Sequence, residues 1–330
     1  MVPELDNIKH CIDKEVADMR LGNYPEGLYE PIRYSIDGGG KRLRPLLLLS
    51  MASAYGKDYR KYINQALAIE IYHNFTLVHD DVMDRSEMRH GRATVHKKWG
   101  LSTAVLSGDA MLSISNLMMM RNLSGDVFSR VMKLFNDTAL RIDEGQQLDI
   151  NFETQDNVKV SDYREMIMLK TGALFGCAAG IGTLLALDGE CDKCDELFKK
   201  AIQFGYVLGI IFQLQDDLFD TYGDFASFGK PIGGDIVNNK KTWLLIKALE
   251  SSSGKILRKV ISKDYDDVSE KIRLVKEIYD LHNLKQGLEE EIKLNIAELD
   301  TILEYLSVYF ADGGKELIES YLNIVINRKK

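Results

Sequence analysis

Apolar residues recur between positions 63 and 82 at the spacing of one helical face. The series, at steps of 4, 4, 4, 3 and 4 residues, is Ile63, Leu67, Ile71, Phe75, Val78 and Val82. No proline lies between Pro45 and Pro231, and such an interval favours long, uninterrupted helices. Because alternating strand patterns are also scarce, the sequence predicts an all-α fold.

The longest stretch without a charge runs from Gly172 to Leu187. Its 16 residues fall short of the ~20 that a bilayer-spanning helix needs. We interpret it as a buried helix whose glycines, spaced for close packing, are Gly172, Gly176, Gly180 and Gly182. No Ser- or Pro-rich linker and no fixed-period repeat divides the chain, which predicts a single domain over residues 1–330.

Bulk composition excludes several classes of protein. The net charge of −8 argues against a nucleic-acid binder, which would carry a basic field. Cys191 and Cys194 form a lone C-x-x-C without the second ligand pair of a zinc site. The polar N-terminal segment lacks the apolar core of a secretory signal. We therefore expect a cytoplasmic protein with reduced thiols and no integral membrane segment.

Two Asp-Asp-x-x-Asp clusters lie 136 residues apart, in "LVHDDVMDRS" and "FQLQDDLFDTYGD". A helix advances ~100° per residue, so Asp80 and Asp84 project from nearly the same side and Asp81 points elsewhere. Asp216 and Asp220 repeat this arrangement around Asp217. One such cluster is commonly a solvated helix face, but two in long helical segments indicate a shared chemical role. His73, seven residues before Asp80, shares the face of the first cluster.

Opposed acidic faces would repel each other unless cations lay between them. Two unit charges ~4 Å apart interact by about 4 kcal/mol at an effective dielectric near 20. Carboxylate oxygens are hard ligands, and Mg²⁺ takes one or two of them together with water and substrate phosphates. The pattern therefore predicts two acidic helices across a cavity, holding Mg²⁺ ions that bind a diphosphate.

Basic residues accompany the acidic clusters. The segment "DGGGKRLRPLLLL" places Lys41, Arg42 and Arg44 between a glycine run and a helix opened by proline. Helix N-termini bind anions, and arginine binds phosphate in bidentate fashion, although the spacing is not that of a P-loop. "RSEMRHGRATVH" adds Arg85, Arg89 and Arg92. The glycine-rich segment from Thr221 to Lys241 is predicted to be a mobile loop that closes over substrate.

With these residues assembled, the chain resembles the trans-isoprenyl diphosphate synthases, the polyprenyl synthase family. The resemblance covers roughly Arg33 to Lys247. The matching stretches, in order, are "GGGKRLRP", "HNFTLVHDDVMD", "MRHGRATVH", "GQQLD", "LKTGALF", "FQLQDDLFD", "FGKPIGGD" and "NNKKT". It implies a helical bundle around a deep central cavity, usually in a homodimer. It also implies head-to-tail condensation of an allylic diphosphate (dimethylallyl, geranyl or farnesyl) with isopentenyl diphosphate.

The resemblance also implies residue roles. Three Mg²⁺ ions per site would be held by Asp80, Asp84 and Asp216, with outer or water-mediated partners at Asp81, Asp217 and Asp220. Isopentenyl diphosphate would contact Lys41, Arg44 and His73. The allylic diphosphate would contact Arg89, Lys170, Lys230 and Lys240. The groups near the reacting carbon would be Lys170, Thr171 and Gln213.

One position departs from the family pattern. The family usually has two consecutive arginines where this chain has Arg89 and His90, and the second arginine faces isopentenyl diphosphate. Either a protonated His90 keeps this contact or Arg92 moves into it.

Product length should depend on the side chains beneath the first acidic cluster. Phe75 lies five residues before Asp80, about 7.5 Å along the helix, and Tyr72 lies one turn deeper. Thr76, at the fourth position before Asp80, is small. In the family, an aromatic residue at the fifth position alone favours a C20 product over C15. Simple core packing is the other interpretation of Phe75.

Three alternatives stay open. The chain could make longer polyprenyl diphosphates. A class I terpene cyclase also ionises a prenyl diphosphate, but usually has a different second metal motif and lacks "GGGKRLRP". A non-catalytic synthase subunit tends to lose one aspartate cluster, and both are intact here.

Overall fold

The computed structural model describes residues 2–187, 194–223 and 232–327. The first helices are α1 (Pro3–Ala17), α2 (Glu26–Ile36), α3 (Leu43–Ala54), a 3₁₀ turn (Tyr59–Tyr62), α4 (Ile63–Met83), α5 (Val95–Trp99), α6 (Leu101–Met119) and α7 (Gly125–Thr154). There follow α8 (Val160–Ile167), a π-helical turn (Met168–Gly172), α9 (Ala173–Leu187) and α10 (Cys194–Tyr222). The last are α11 (Gly234–Val237), α12 (Trp243–Glu250), α13 (Gly254–Ile261), α14 (Val268–Leu281), α15 (Leu284–Ser307) and α16 (Gly314–Ile326).

The all-α prediction is confirmed, and the helix expected from residue 63 is α4. Within the described residues the one sheet is a hairpin of two-residue strands, β1 (Met88–Arg89) and β2 (Arg92–Ala93). Its turn residues His90 and Gly91 both have positive φ, of 50° and 73°, as a tight primed hairpin turn requires.

The chain divides into two compact units. Unit 1 comprises residues 1–137, 174–202 and 305–325, and unit 2 comprises residues 138–173, 203–304 and 326–330. The first aspartate cluster belongs to unit 1 and the second to unit 2. The single-domain interpretation stays a prediction.

The core of unit 1 is built around α3 and α4. α3 buries Leu46, Leu47, Leu48 and Leu49, and α9 lies against it without side chains intervening. A Cβ atom on Gly182 would lie 2.3 Å from the carbonyl oxygen of Leu48, so only glycine permits this approach. Close contacts at Gly172 and Gly180 likewise confirm the packing role predicted for these three glycines.

The apolar stretch from Gly172 belongs to a longer helical run than the sequence suggested. Val160–Leu187 is helical over 28 residues and Cys194–Tyr222 over 29 residues, and their most apolar windows of 18 residues have a mean hydropathy of 1.4 and 1.2. Both are long and apolar enough to cross a membrane by length and composition alone, a test that core helices of soluble proteins also pass. Buried residues make up 78% and 56% of the apolar windows, which is in keeping with core helices.

The segment from Thr221 to Lys241, predicted to be a mobile loop, is partly helical where the structure describes it. Helix α10 continues through Tyr222, whose hydroxyl donates to Asp280 Oδ1 at 2.9 Å, and α11 forms within the segment. Residues 224–231, which include Lys230, lie outside the described residues, as does Cys191. Among the described residues, Cys11, Cys177 and Cys194 form no disulfide with one another.

Candidate functional site

The first aspartate cluster lies at the C-terminal end of α4. Asp80 is partly exposed, and Asp84 is exposed and caps the helix, its N–H donating to the Asp80 carbonyl at 2.8 Å. Asp81 is only 4% exposed. The two aspartates predicted to bind metal are therefore accessible, and the third is not.

Asp81 is held by the neighbouring hairpin. The Arg89 Nε atom lies 2.9 Å from each Asp81 carboxylate oxygen, and Nη2 lies 2.8 Å from Oδ1. A bidentate pair of this kind is strong and directional. It ties strand β1 to the helix and leaves part of the Arg89 guanidinium exposed beside the acidic cluster.

The basic turn before α3 contains one buried cationic side chain, which has a structural role, and two that are accessible to solvent. Arg42 adopts a left-handed backbone (φ 49°) and is buried; its guanidinium donates to Glu70 Oε1 at 2.5 Å and to the Ile36 carbonyl at 2.7 Å. Removing either member of a buried ion pair is strongly destabilising, so this pair fixes the turn on α4. Lys41 is exposed and Arg44 partly exposed.

Arg44 and His73, which the family resemblance assigned to one pocket, are in contact. Arg44 Nη1 lies 3.1 Å from His73 Nε2, and the guanidinium lies 4.5 Å from the centre of the Phe175 ring. Because arginine can only donate, Nε2 accepts and the imidazole proton lies on Nδ1. Burial, reinforced by Arg44, lowers the pKa of His73 well below its ordinary value. The pocket thus concentrates positive charge, and an anion would relieve it.

His90 and Arg92, the two candidates to replace the family's second arginine, have different surroundings. The Arg92 guanidinium stacks 3.8 Å from the centre of the Tyr34 ring, and Nη1 donates to the Tyr34 carbonyl at 3.4 Å. His90 lies in the hairpin turn, close enough to contribute to the lowered pKa of His73. Both His90 and Arg92 line the cavity that Asp81 and Arg89 also line, so which of them replaces the second arginine stays a prediction.

In unit 2 the π-helical turn carries two predicted site residues, Lys170 and Thr171. Single π turns inside helices are frequent at functional sites. Lys170 Nζ donates to Asp149 Oδ2 at 2.6 Å. Helix α7 approaches this turn at Gly145, where a Cβ atom would lie 2.4 Å from the Lys170 backbone nitrogen. Gly145 therefore determines how closely Asp149 and Lys170 can approach.

The second aspartate cluster lies on the last turns of α10. Asp216 and Asp220 are partly exposed, whereas Asp217 is 3% exposed. Asp217 accepts from Tyr163 at 2.5 Å and from Gln213 at 2.9 Å. Burial and the carboxylate of Asp235 raise the pKa of Asp217 well above its ordinary value. As in the first cluster, the middle aspartate is structural and the outer two are accessible.

Asp149 and Asp235 join this cluster, and we did not single them out from the sequence. Burial, with Asp220, Asp149 and Asp216, raises the pKa of Asp235 to about 7, while Lys240 opposes the shift. The backbone N–H of Asp235 donates to Asp220 Oδ2 at 2.9 Å. Both residues end stretches that carry the resemblance, "GQQLD" and "FGKPIGGD", which was the available signal.

An aromatic cluster lies below the first aspartates. The Tyr72 ring centre is 5.4 Å from those of Phe75 and Phe135, and Phe75 is 4.7 Å from the His79 ring. Tyr72 is 1% exposed and Phe75 8%. Thr76 donates its hydroxyl to the His73 carbonyl at 2.8 Å. The cluster is buried and bulky, which fits both interpretations of Phe75, a barrier to a growing product and simple core packing.

The donor set suits a hard divalent cation. The accessible side chains of both clusters offer carboxylate oxygens, the ligands that Mg²⁺ prefers. Among the described residues no three His, Cys, Asp or Glu side chains form a ready metal site by themselves. Ligands from water and substrate would have to complete the coordination, as is usual for Mg²⁺.

Comparison with known proteins gives consistent matches. The family model described as polyprenyl synthetase matches residues 25–279. A geranylgeranyl pyrophosphate synthase of Geoglobus acetivorans is 42% identical over 72% of this chain and 73% of its own length. A geranylgeranyl diphosphate synthase of Methanosarcina mazei is 38% identical over 76% of each. A crystal structure of a geranylgeranyl pyrophosphate synthase superposes with a TM-score of 0.91 at 36% identity, covering 99% of both chains.

The lowered pKa of His73 predicts a specific pH dependence of stability. When the pH is below 6.5, the ordinary pKa of histidine, His73 binds a proton in the unfolded chain but not in the folded protein. The free energy of unfolding therefore falls as the pH drops below 6.5. Between pH 7.5 and 5.5, we expect the wild type to lose about 1 kcal/mol more than His73→Gln, measured by urea unfolding. Equal losses in the two proteins would contradict this account.

Proposed function

The chain belongs to the polyprenyl synthetase family, and we propose that it is a short-chain trans-prenyl diphosphate synthase with a C20 product. It would condense an allylic diphosphate with isopentenyl diphosphate to give geranylgeranyl diphosphate. The relatives are named geranylgeranyl diphosphate or pyrophosphate synthases and align with most of this chain, which supports both the reaction and the chain length of its product. The family is a family of prenyltransferases that act on diphosphates.

One observation carries the proposal: each unit has its own accessible aspartate pair and its own cations. Unit 1 combines Asp80 and Asp84 with Arg44 and Arg89. Unit 2 combines Asp216 and Asp220 with exposed Lys240 and with Lys170. Carboxylates alone would repel a diphosphate. Lysine and arginine alone could bind a diphosphate directly, without any carboxylates nearby. The combination suits a diphosphate bound together with metal ions.

Members of this family depend on metal ions, and we assign Mg²⁺ to Asp80, Asp84 and Asp216, with three ions per site. Bound Mg²⁺ would neutralise the charge that develops on the diphosphate leaving group. We assign the allylic diphosphate to Arg89, Lys170, Lys230 and Lys240, and isopentenyl diphosphate to Lys41, Arg44 and His73.

In this reaction the protein would place oxygen atoms near the allylic cation and keep water away from it. As the allylic C–O bond breaks, the oxygens of Thr171 and Gln213 and the carbonyl of Lys170 would face the developing cation. The isopentenyl double bond then attacks C1 and forms the new C–C bond. The proton lost from the isopentenyl unit passes to the released diphosphate. Exclusion of water prevents hydrolysis of the cation.

The test is incubation with Mg²⁺, isopentenyl diphosphate and each of three allylic primers, followed by mass analysis of the product. We expect a C20 diphosphate. Asp80→Asn and Asp216→Asn should each lower kcat by about 100-fold or more, whereas Asp266→Asn, an exposed aspartate outside both clusters, should not.

Other outcomes would overturn the proposal in distinguishable ways. A hydrocarbon formed without isopentenyl diphosphate would indicate a terpene cyclase. No product with any primer would indicate a non-catalytic subunit, and a product of C25 or longer would place the chain among longer-chain synthases.

Chain length follows from the aromatic cluster of Tyr72, Phe75 and Phe135. We propose that this cluster forms the floor that stops elongation at C20. Phe75→Ala with Tyr72→Ala should therefore lengthen the product by at least one five-carbon unit, detected by chromatography. Phe152→Ala removes an equally buried ring (5% exposed) outside the cluster and should leave product length unchanged. An unchanged product in the double variant would show that these rings are only core packing.

We also propose a homodimer formed through α6. This helix exposes apolar side chains along one side: Leu101 (60%), Val105 (39%), Leu106 (60%) and Leu117 (63%). Met120 (42%) follows at its end. The strip also contains the exposed polar residues Ser102, Asp109 and Ser113. Single exposed leucines are ordinary, but several large apolar side chains exposed on one helix are typical of an interaction surface. The cytoplasmic location expected from the sequence stays a prediction.

Charge placed on this strip should dissociate the dimer. We expect Leu106→Glu to shift the mass measured by light scattering from two chains to one. Leu281→Glu, at an equally exposed leucine (69%) on α14, is the matched control and should leave the mass unchanged. A wild-type protein of one chain mass at micromolar concentration would refute the assignment.

A further inference from the structure

A continuous chain of side-chain hydrogen bonds runs through unit 2 to a predicted catalytic hydroxyl. The Tyr163 hydroxyl donates to Asp217 Oδ2 at 2.5 Å, and Gln213 Nε2 donates to Asp217 Oδ1 at 2.9 Å. Thr171 Oγ1 donates to Gln213 Oε1 at 3.0 Å. Tyr163 and Asp217 are 1% and 3% exposed, so water does not compete at that end.

The chain has a fixed direction. The Tyr163 hydroxyl lies 2.5 Å from Asp217 Oδ2 and donates to it, because a carboxylate oxygen only accepts. Asp217 Oδ1 accepts from the amide nitrogen of Gln213, which turns the amide oxygen toward Thr171. That oxygen can only accept, so the Thr171 hydroxyl must donate to it. The lone pairs of Thr171 Oγ1 are therefore directed away from the chain.

We propose that Tyr163 is a positioning residue which, through Asp217 and Gln213, orients the lone pairs of Thr171 toward the allylic cation. The proposal rests on the proposed prenyl transfer. Oxygen lone pairs stabilise a nearby positive charge, whereas a hydroxyl hydrogen pointing at the cation would oppose it. A preorganised dipole of this kind does not have to reorient during the reaction.

The tyrosine hydroxyl is needed because it fixes the plane of the Asp217 carboxylate. Without it, Oδ2 is buried without this donor, which is costly, and the carboxylate is able to rotate. Gln213 then loses its fixed partner, and its amide can turn over. A turned amide would present N–H to Thr171, whose hydroxyl hydrogen would then point elsewhere.

The first test is Tyr163→Phe, which removes one oxygen and keeps the ring. We expect kcat to fall by about 10- to 100-fold, while KM for both substrates stays within about twofold of the wild type, because the hydroxyl acts only on the cation. Tyr62→Phe is the control: it removes a tyrosine hydroxyl bonded at 3.0 Å to the Leu185 carbonyl in unit 1 and should leave kcat unchanged.

A double-mutant cycle distinguishes positioning from a general structural effect. If Tyr163 acts through Thr171, the double variant Tyr163→Phe/Thr171→Val should be no slower than Thr171→Val alone. Additive losses, or an unchanged kcat in Tyr163→Phe, would overturn the proposal.

Two further results keep the test decisive. Should Tyr163→Phe fail to fold, Asp217→Asn breaks the same chain at the next residue and must show the same non-additivity with Thr171→Val; additivity there would also overturn the proposal. Activity of the wild-type protein in the same assay tests the prenyl transfer itself, so failure of one claim is separable from failure of the other.

Discussion

Carboxylates crowded onto helix ends set the main physical constraint on this protein. Like charges at helical spacing repel, and desolvation adds to the cost. In both units the middle aspartate of the cluster is buried and held by a fixed partner: Arg89 for Asp81, and Tyr163 with Gln213 for Asp217. The outer aspartates stay accessible. Each cluster thus has one carboxylate that fixes the helix end and two that can bind a cation.

The surrounding residues follow from this division. The π-helical turn, Gly145 and Asp149 position Lys170 and Thr171, while the buried pair of Arg42 and Glu70 fixes the turn that presents Lys41 and Arg44. A rigid framework of this kind suits a reaction whose intermediate is a reactive cation, because charge is stabilised by dipoles that are already in place.

The sequence alone predicted those structural elements that are determined by residues close together along the chain. The bounds of helix α4 could be predicted almost to the residue because its apolar stripe is continuous. The family resemblance placed Arg44 and His73 in one pocket, but their contact was not predicted. Long-range contacts were not recoverable. The end of α10 depends on Tyr222 bonding Asp280, 58 residues away. The burial of Arg42, unlike its neighbours Lys41 and Arg44, depends on Glu70. The roles of Asp149 and Asp235 appear only when their neighbours in space are known.

Thermal unfolding with inorganic pyrophosphate shows whether the aspartate pairs bind diphosphate only together with a divalent cation. Tm should rise by several degrees more with pyrophosphate and Mg²⁺ than with pyrophosphate and a chelator, because the carboxylates repel a diphosphate when no metal ion is bound. Asp80→Asn should remove most of this difference. An equal rise in the two conditions would mean that the aspartate pairs need no cation.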